Sequence, residues 1–224
     1  MLGTQPPARW VLPKKEDVMA DPRLVLATHN AHKVSELRAI LLAPEVGLPL
    51  DADQIVGASQ FGVPEPKEDG VTFEANALIK ARALCEATGL PAIADDSGLA
   101  VDVLGGAPGI FSARWAGAHG DDAANLDLLL AQLSDIAVEH RAARFVCAAA
   151  LVTPDGVEHV ERGTLDGTLL FERAGSGGFG YDPILRPDGE DRSCAQLSAD
   201  EKNAISHRGK AFRLLAPHIA ALFS

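Results

Sequence analysis

A mixed α/β fold, not a regular doubly wound sheet, is predicted by three features of this chain. Short apolar runs alternate with helical stripes in the first half. Strand-like runs separated by turn residues crowd the second half. The strongest of them, Arg144 to Val152, is almost wholly apolar, as a strand buried on both faces would be. The chain has 224 residues and is 47% apolar. That is enough to bury the core of one large domain or of two tightly joined lobes.

The elements follow in order. Residues 1–22 are polar and carry Pro6, Pro7, Pro13 and Pro22, so a mobile tail is expected there, ahead of one domain over 23–224. Arg23 to Thr28 reads as a first strand. A helix follows, capped by Asn30, with Val34, Leu37, Ile40 and Leu41 as its apolar stripe. Residues 44–70 are loop-like, with a short strand near Ile55-Val56. Thr72 opens a second helix that runs to about Thr88, where Gly89 and Pro91 stop it. The next apolar run ends in Asp95-Asp96-Ser97-Gly98. Gly105 to Gly109 forms a tight loop. Asp121 or Asp122 begins a third helix, with Leu126, Leu129, Leu130 and Leu133 on one face. After the strand ending at Val152, Asp155-Gly156 turns the chain into Glu158 to Arg162, and a separate strand is expected over Thr164 to Phe171. The last helix spans about Ser206 to Leu222 and is interrupted at Pro217.

Bulk properties narrow the function. The formal net charge of -11 argues against a nucleic-acid partner, which needs a clustered basic face. A small anionic ligand remains compatible if a few Lys and Arg converge. Cys85, Cys147 and Cys194 are dispersed and form no C-x-x-C, so neither a disulfide framework nor a zinc knuckle is indicated. A reducing, cytoplasmic location is expected. No apolar run reaches the length of a membrane span.

Several short motifs carry chemistry. Asp95 and Asp96 are adjacent in a strand, so their side chains should face opposite ways, and each needs compensation if buried. Thr28 to Lys33 lies where a strand meets a helix N-terminus, a place that favours anions. His29 and His32 have no metal-ligand partner at suitable spacing and read as surface residues. Gly175-Ser176-Gly177-Gly178-Phe179-Gly180 matches G-x-G-x-x-G, but Pro183 disfavours the helix that a dinucleotide fingerprint requires. It reads instead as a loop presenting Phe179, Tyr181 and Asp182. Glu65, Glu68 and Asp69 form an acidic loop cluster suited to a hard cation. Lys202 to Arg208 concentrates cations, a histidine and small polar residues.

Taken together, these stretches resemble the Ham1-like, or inosine triphosphate pyrophosphatase, family. The matching residues are Thr28-x-Asn30-x-x-Lys33, Glu68-Asp69-Gly70-Val71-Thr72-Phe73 with Asn76-Ala77 and Lys80-Ala81, and Ala94-Asp95-Asp96-Ser97-Gly98-Leu99. Gly105 to Gly109 with Ser112-Ala113-Arg114, Gly177 to Pro183, and Glu201 to Gly209 follow in the family's order. Two positions depart from its pattern. His29 stands where the family often has Gly, and Ala75 where it often has Glu.

The resemblance implies a two-lobed mixed α/β fold around a long central sheet, with a nucleotide cleft between the lobes. It implies a homodimer. It also implies Mg²⁺-dependent hydrolysis of ITP, dITP and XTP to the monophosphate and pyrophosphate, which cleanses the nucleotide pool. A Maf-like pyrophosphatase acting on other nucleotides is the nearest rival; Ser206-His207-Arg208 and the Phe179 loop argue against it. A nucleotide sensor without turnover is a second rival, and Asp95-Asp96 argues against that.

The roles follow by resemblance and by charge. Phosphates would meet Thr28, Asn30, Lys33, Lys80 and Lys202, and His29, Ala31, His32 and Ser97 would belong to the same substrate site. Asp96 would orient or deprotonate the attacking water, with Asp95 in support. Asp96 and Glu68, with Glu65 in reserve, would hold Mg²⁺. The base would stack on Phe179 beside Gly180 and Tyr181, donate a ring N–H to Asp182, and present its 6-oxo group to His207 and Arg208.

Overall fold

In the computed structural model, residues 21–28 and 31–223 are described, Ala31 and His32 by backbone alone. Three long strands dominate: β3 (Ala92–Val101), β4 (Ala142–Val152) and β5 (Glu158–Leu169). With β1 (Leu24–Leu26), β2 (Ile55–Gly57) and β6 (Leu185–Pro187) they form one six-stranded sheet in the order β2-β1-β3-β4-β5-β6. β1 pairs in parallel with β2 and β3, whereas β3 to β6 are antiparallel. This is the mixed α/β arrangement expected: helical crossovers early, hairpins late.

The helices are α1 (Ala31–Leu41), α2 (Phe73–Thr88), α3 (Asp122–Gln132), α4 (Ala199–Ile205) and α5 (His207–Ala221). The punctuation of α2 is as foreseen. The Thr72 hydroxyl accepts from the Ala75 N–H, and Gly89 closes the helix in the left-handed conformation at φ +68°. Asp121 caps α3 and Ser206 caps α5.

Alternation along the strands divides the core. Leu24, Leu26, Ile93, Cys147, Ala149 and Leu151 pack against α1 and α5 on one face. Val25, Ala92, Ala94, Val146, Ala148 and Ala150 pack against α2 on the other. Beyond the middle of β3 a third cluster begins: Leu99 and Val101 join Phe145, Leu165 and Tyr181 against Leu126 and Leu129 of α3. The long strands therefore run through two packed regions, and Asp95 to Gly98 lie at the join.

Three expectations are corrected. The aspartate pair does not end its strand. β3 continues to Val101 because Asp95, Asp96, Ser97 and Gly98 pair in register with Ala149, Ala148, Cys147 and Val146. The two strands expected after Gly156 are one. Gly163 is no break; it lies under α5, where a Cβ would stand 2.1 Å from the His207 carbonyl oxygen. Pro217 does not interrupt α5, which runs on to Ala221. Leu215, Ala216 and Ile219 are buried around it, and that packing outweighs the roughly 3 kcal/mol cost of an internal proline. In addition, β6 and α4 lie outside the expected elements; both are short, β6 being held by its pairing with β5 and α4 by the Ser198–Glu201 capping box. The Asn30 cap and nearly all of the expected tail fall outside the described residues.

Candidate active site

The register of β3 sends Asp95 toward α1 and α5, and Asp96 toward α2. The two carboxylates therefore live in different surroundings, and their chemistry diverges.

Asp95 is buried and fully paired. One oxygen lies 2.9 Å from Lys33 Nζ. The other accepts from Arg208 Nε at 3.2 Å and from the Ser97 hydroxyl at 3.0 Å. Burial alone would raise its pKa, but Lys33, Arg208 and Lys80 outweigh burial and hold it well below the usual carboxylate range. Such a group is a fixed anion, not a proton acceptor. Arg208 is buried too and donates from Nη1 to both oxygens of Glu36, at 3.1 and 3.2 Å. Burial opposes its charge, yet Asp95 and Glu36 raise its pKa further.

Asp96 is in a different state. Its side chain is 14% exposed. Burial pushes its pKa up, with Glu68 and Asp95 adding to the rise, and neither Lys80 nor Asn76 cancels it. Asn76 Nδ2 donates to Asp96 Oδ2 at 3.1 Å, and the Ser97 N–H donates to Oδ1 at 3.1 Å. Lys80 Nζ stands 3.0 Å from Glu68 and 3.6 Å from Asp96. Burial disfavours the Lys80 ammonium, but Asp96, Asp95 and Glu68 raise its pKa and keep it charged. A partly exposed carboxylate with a raised pKa, oriented by an amide, suits a general base.

The Gly175–Gly180 loop does not start a helix, as Pro183 implied. Its tip is organised around Asp182, which is buried. Asp182 Oδ2 accepts from the Phe179 N–H at 2.8 Å and pairs with Lys202 Nζ at 2.5 Å. The Lys202 ammonium also lies 5.0 Å from the centre of the Phe179 ring. Gly178 has φ +71°, and a Cβ there would meet Asp182 Oδ2 at 2.0 Å, so glycine is required. Tyr181 is buried and donates to the Ser112 carbonyl at 3.0 Å. Phe179 itself is 61% exposed.

His207 opens α5 under Ser206 and stacks on Phe145, with ring centres 5.0 Å apart. Burial, then Arg208 and Lys202, push its pKa well below the usual imidazole range. It is a neutral ring, and its Nδ1 is buried with no hydrogen-bond partner among the described residues.

The structure thus gathers the expected residues into two groups. Lys33, Asp95, Ser97 and Arg208 form one charged network with Glu36, alongside Asp96, Lys80 and Glu68. Phe179, Asp182 and Lys202 form the other, with His207 buried at the start of α5. Lys202, expected with the phosphates, is held by Asp182. Arg208, expected on the base, spends donors on Asp95 and Glu36. Glu65 lines a small cavity with Lys80, Val63 and Leu84. Thr28 is buried two residues beyond β1. Gly180 donates its N–H to Asp122. His29 and Asn30 lie outside the described residues, as do the side chains of Ala31 and His32.

Glu36 and Asp122 are absent from the sequence reading, and Asn76 enters it only as part of the family pattern, with no role. The buried polar position of Asn76 inside an amphipathic helix was the available signal. Glu36 lies three residues after Lys33, one helical turn away. Nothing local marked Asp122 beyond a helix start.

A divalent cation can be tested against these side chains. Glu68 and Asp96 offer hard oxygen ligands around one positive charge, that of Lys80. Among the described residues no group of three or more His, Cys, Asp or Glu is placed to hold a metal ion. The Glu68 and Asp96 carboxylates match the one or two that a cation of the Mg²⁺ type takes, its shell being completed by water and phosphate.

The model of the Ham1 family matches residues 24–218. A protein of Streptomyces coelicolor named dITP/XTP pyrophosphatase is 67% identical over 201 residues, covering 89% of this chain and 98% of that one. One of the same name from Corynebacterium efficiens is 55% identical over 206 residues, with 89% and 98% covered. The solved HAM1 protein from Coxiella burnetii superposes with a TM-score of 0.80 at 38% identity, covering 89% of this chain and 99% of that one. A nucleoside-triphosphatase, dITP/XTP pyrophosphatase, from Mycobacterium abscessus gives 0.70 at 49% identity, with 87% and 99% covered.

Proposed function

The chain belongs to the Ham1 family, and from that premise we propose that it hydrolyses non-canonical purine nucleoside triphosphates. ITP, dITP and XTP would be cleaved to the monophosphate and pyrophosphate, cleansing the nucleotide pool of deaminated purines. The observation that carries this reading is the unequal aspartate pair. A raised-pKa Asp96 beside Lys80 and Glu68 stands one residue from a fixed Asp95 that anchors Lys33 and Arg208.

The chemistry asks little covalent work of the protein. Hydrolysis of the α–β anhydride needs an oriented water and neutralisation of charge on the leaving pyrophosphate. Lys33 and Lys80 bring ammonium groups from opposite faces of β3. Asp96 orients the water and takes its proton. Asn76 holds the Asp96 carboxylate in place. Asp95 keeps Lys33 and Arg208 charged and fixed without competing for the proton. Glu68 and Asp96, with Glu65 in reserve, would hold Mg²⁺, which when bound supplies charge neutralisation at the phosphate oxygens.

Base selection belongs to the second group. Phe179 offers an exposed ring for stacking, and Asp182 an acceptor for a ring N–H. Neutral His207 and the neighbouring α5 N-terminus would offer hydrogen bonds to a 6-oxo group. Arg208 reaches the base only with the donors that Asp95 and Glu36 leave over. An amino group in place of the oxygen would be left facing donors, which polar sites reject by roughly 10⁴-fold or more.

The deciding experiment measures pyrophosphate release from ITP, dITP, XTP and the four common triphosphates, with Mg²⁺ and with EDTA. Preference for the deaminated purines and loss in EDTA are expected. Equal turnover of ATP and ITP, or release of phosphate in place of pyrophosphate, would overturn the reading. A homodimer and a cytoplasmic location belong to the same proposal; sedimentation and cell fractionation test them. Among the described residues no helix is long and apolar enough to cross a membrane.

A further inference from the structure

The tip of the Gly175–Gly180 loop is held by two carboxylates from different elements. The Phe179 N–H goes to Asp182 at 2.8 Å. The next N–H, that of Gly180, goes to Asp122 Oδ2 at 2.9 Å. Asp122 is the first residue of α3 and lies 58 positions away in sequence. We propose that Asp122 is a positioning residue for the Phe179 ring, fixing the peptide on its C-terminal side and so setting the plane on which a purine stacks. This rests on the reading of Phe179 as the stacking surface.

Three observations favour a built device over a chance contact. First, α3 is rigidly seated. Leu126 and Leu129 are buried in the same apolar cluster as Tyr181, one residue beyond Gly180, and Asp121 caps the helix separately from Asp122. Second, the start of the loop is tied to the same helix turn. Arg173 Nη2 donates to the Ala123 carbonyl at 3.2 Å and to Asp127 at 2.7 Å. A groove lined by Asp122, Ala123, Leu126, Arg173, Phe179 and Pro183 runs between these ties, so little packing holds the tip there. Third, Asp182 is not a dedicated anchor. Its Oδ2 serves both Phe179 and Lys202, and a base that donates to Asp182 draws on the same carboxylate. Asp122 holds the tip independently of whatever Asp182 is doing. Gly180, at φ +59°, presents its N–H outward to Asp122 in a conformation costly for other residues.

The experiment compares Asp122→Ala, Asp122→Asn and Phe179→Ala with the unaltered full chain, by steady-state kinetics on ITP with Mg²⁺ and by thermal melting. Loss of one charge-assisted hydrogen bond should raise KM for ITP about fivefold. In Asp122→Ala, kcat and the melting midpoint should stay near their original values, because Asp121 still caps α3. Asp122→Asn keeps an oxygen that accepts from Gly180 and should restore KM. An unchanged KM in Asp122→Ala, alongside a raised KM in Phe179→Ala, would overturn the inference and leave the stacking reading standing. An unchanged KM in Phe179→Ala would overturn the stacking reading and the inference with it. If Asp122→Asn behaves like Asp122→Ala, the hydrogen bond is not the working part and the inference fails.

Discussion

Asp95→Asn and Asp96→Asn are nearly isosteric changes at adjacent positions, and opposite consequences are expected from them. Asp95 is buried against Lys33 at 2.9 Å, Arg208 at 3.2 Å and the Ser97 hydroxyl. Neutralising it leaves the buried Arg208 with Glu36 alone. Removing one partner of a buried pair typically costs about 3–5 kcal/mol. For a domain of this size each kcal/mol moves the melting midpoint by roughly 2–4 °C, so a fall of about 6–20 °C is expected. The sign with pH follows from linkage. The folded pKa of Asp95 lies below its unfolded value. Its stabilisation is therefore complete above about pH 4 and is lost only as pH falls through the lower folded value. The gap between the original and Asp95→Asn proteins should persist through neutral and mildly acidic pH and close in strong acid.

Asp96 reverses the sign. Its folded pKa is raised, chiefly by burial, so its ionisation weakens the fold as pH rises through that value. Asp96→Asn should leave stability within about 1 kcal/mol of the original at neutral pH, or improve it. It should lower kcat by about 10²–10⁴-fold, the usual contribution of a general base. Paired melting curves between acid and neutral pH, with pyrophosphate release from ITP, decide the matter. If Asp96→Asn destabilised the protein more than Asp95→Asn, or kept near-normal kcat, the division of labour between the two would be refuted.

Other perturbations separate the two groups of side chains. Gly178→Ala places a Cβ 2.0 Å from Asp182 Oδ2; it should displace that carboxylate and reduce the ITP-over-ATP ratio of kcat/KM at least about tenfold, measured with both substrates. Lys80→Met removes the charge between Glu68 and Asp96; a raised KM for ITP and a changed Mg²⁺ requirement are expected in a metal titration, and unaltered values of both would remove Lys80 from the phosphate site. Arg141 is buried and donates to the carbonyls of Leu133, Leu169 and Leu170; Arg141→Met strands these acceptors and should cost about 3 kcal/mol or more in denaturant unfolding, with kcat unaffected.

Much of the fold was legible because its signals are local. Thr72 and Gly89 bracket α2 through hydrogen bonds and a backbone conformation that involve only near neighbours in sequence. Pro183 excludes a helix at the glycine loop by a steric clash with its predecessor. The apolar run of β4 needs no partner to be recognised. Where reading failed, a distant element had overridden the local cue. Gly163 looks like punctuation, yet its lack of a Cβ lets α5 pack on it, since a Cβ would stand 2.1 Å from the His207 carbonyl oxygen. Pro217 looks like a break, yet buried neighbours on both sides hold the helix together. The aspartate pair looks like the end of a strand, yet β4 continues to pair with it.

For the site, the order of residues already sets which groups are available, and alternation, a property of any strand, turns Asp95 and Asp96 opposite ways. Which faces those are depends on how distant segments pack. Arg208 reaches Asp95 across 113 positions and Glu36 across 172, and Asp182 claims Lys202 in a separate cluster. The state of a carboxylate depends on burial and on charges within a few ångströms, and packing brings those charges together from remote parts of the chain. That is why Asp95 is a fixed anion and Asp96 a raised one, although the two are neighbours of identical chemistry in the sequence.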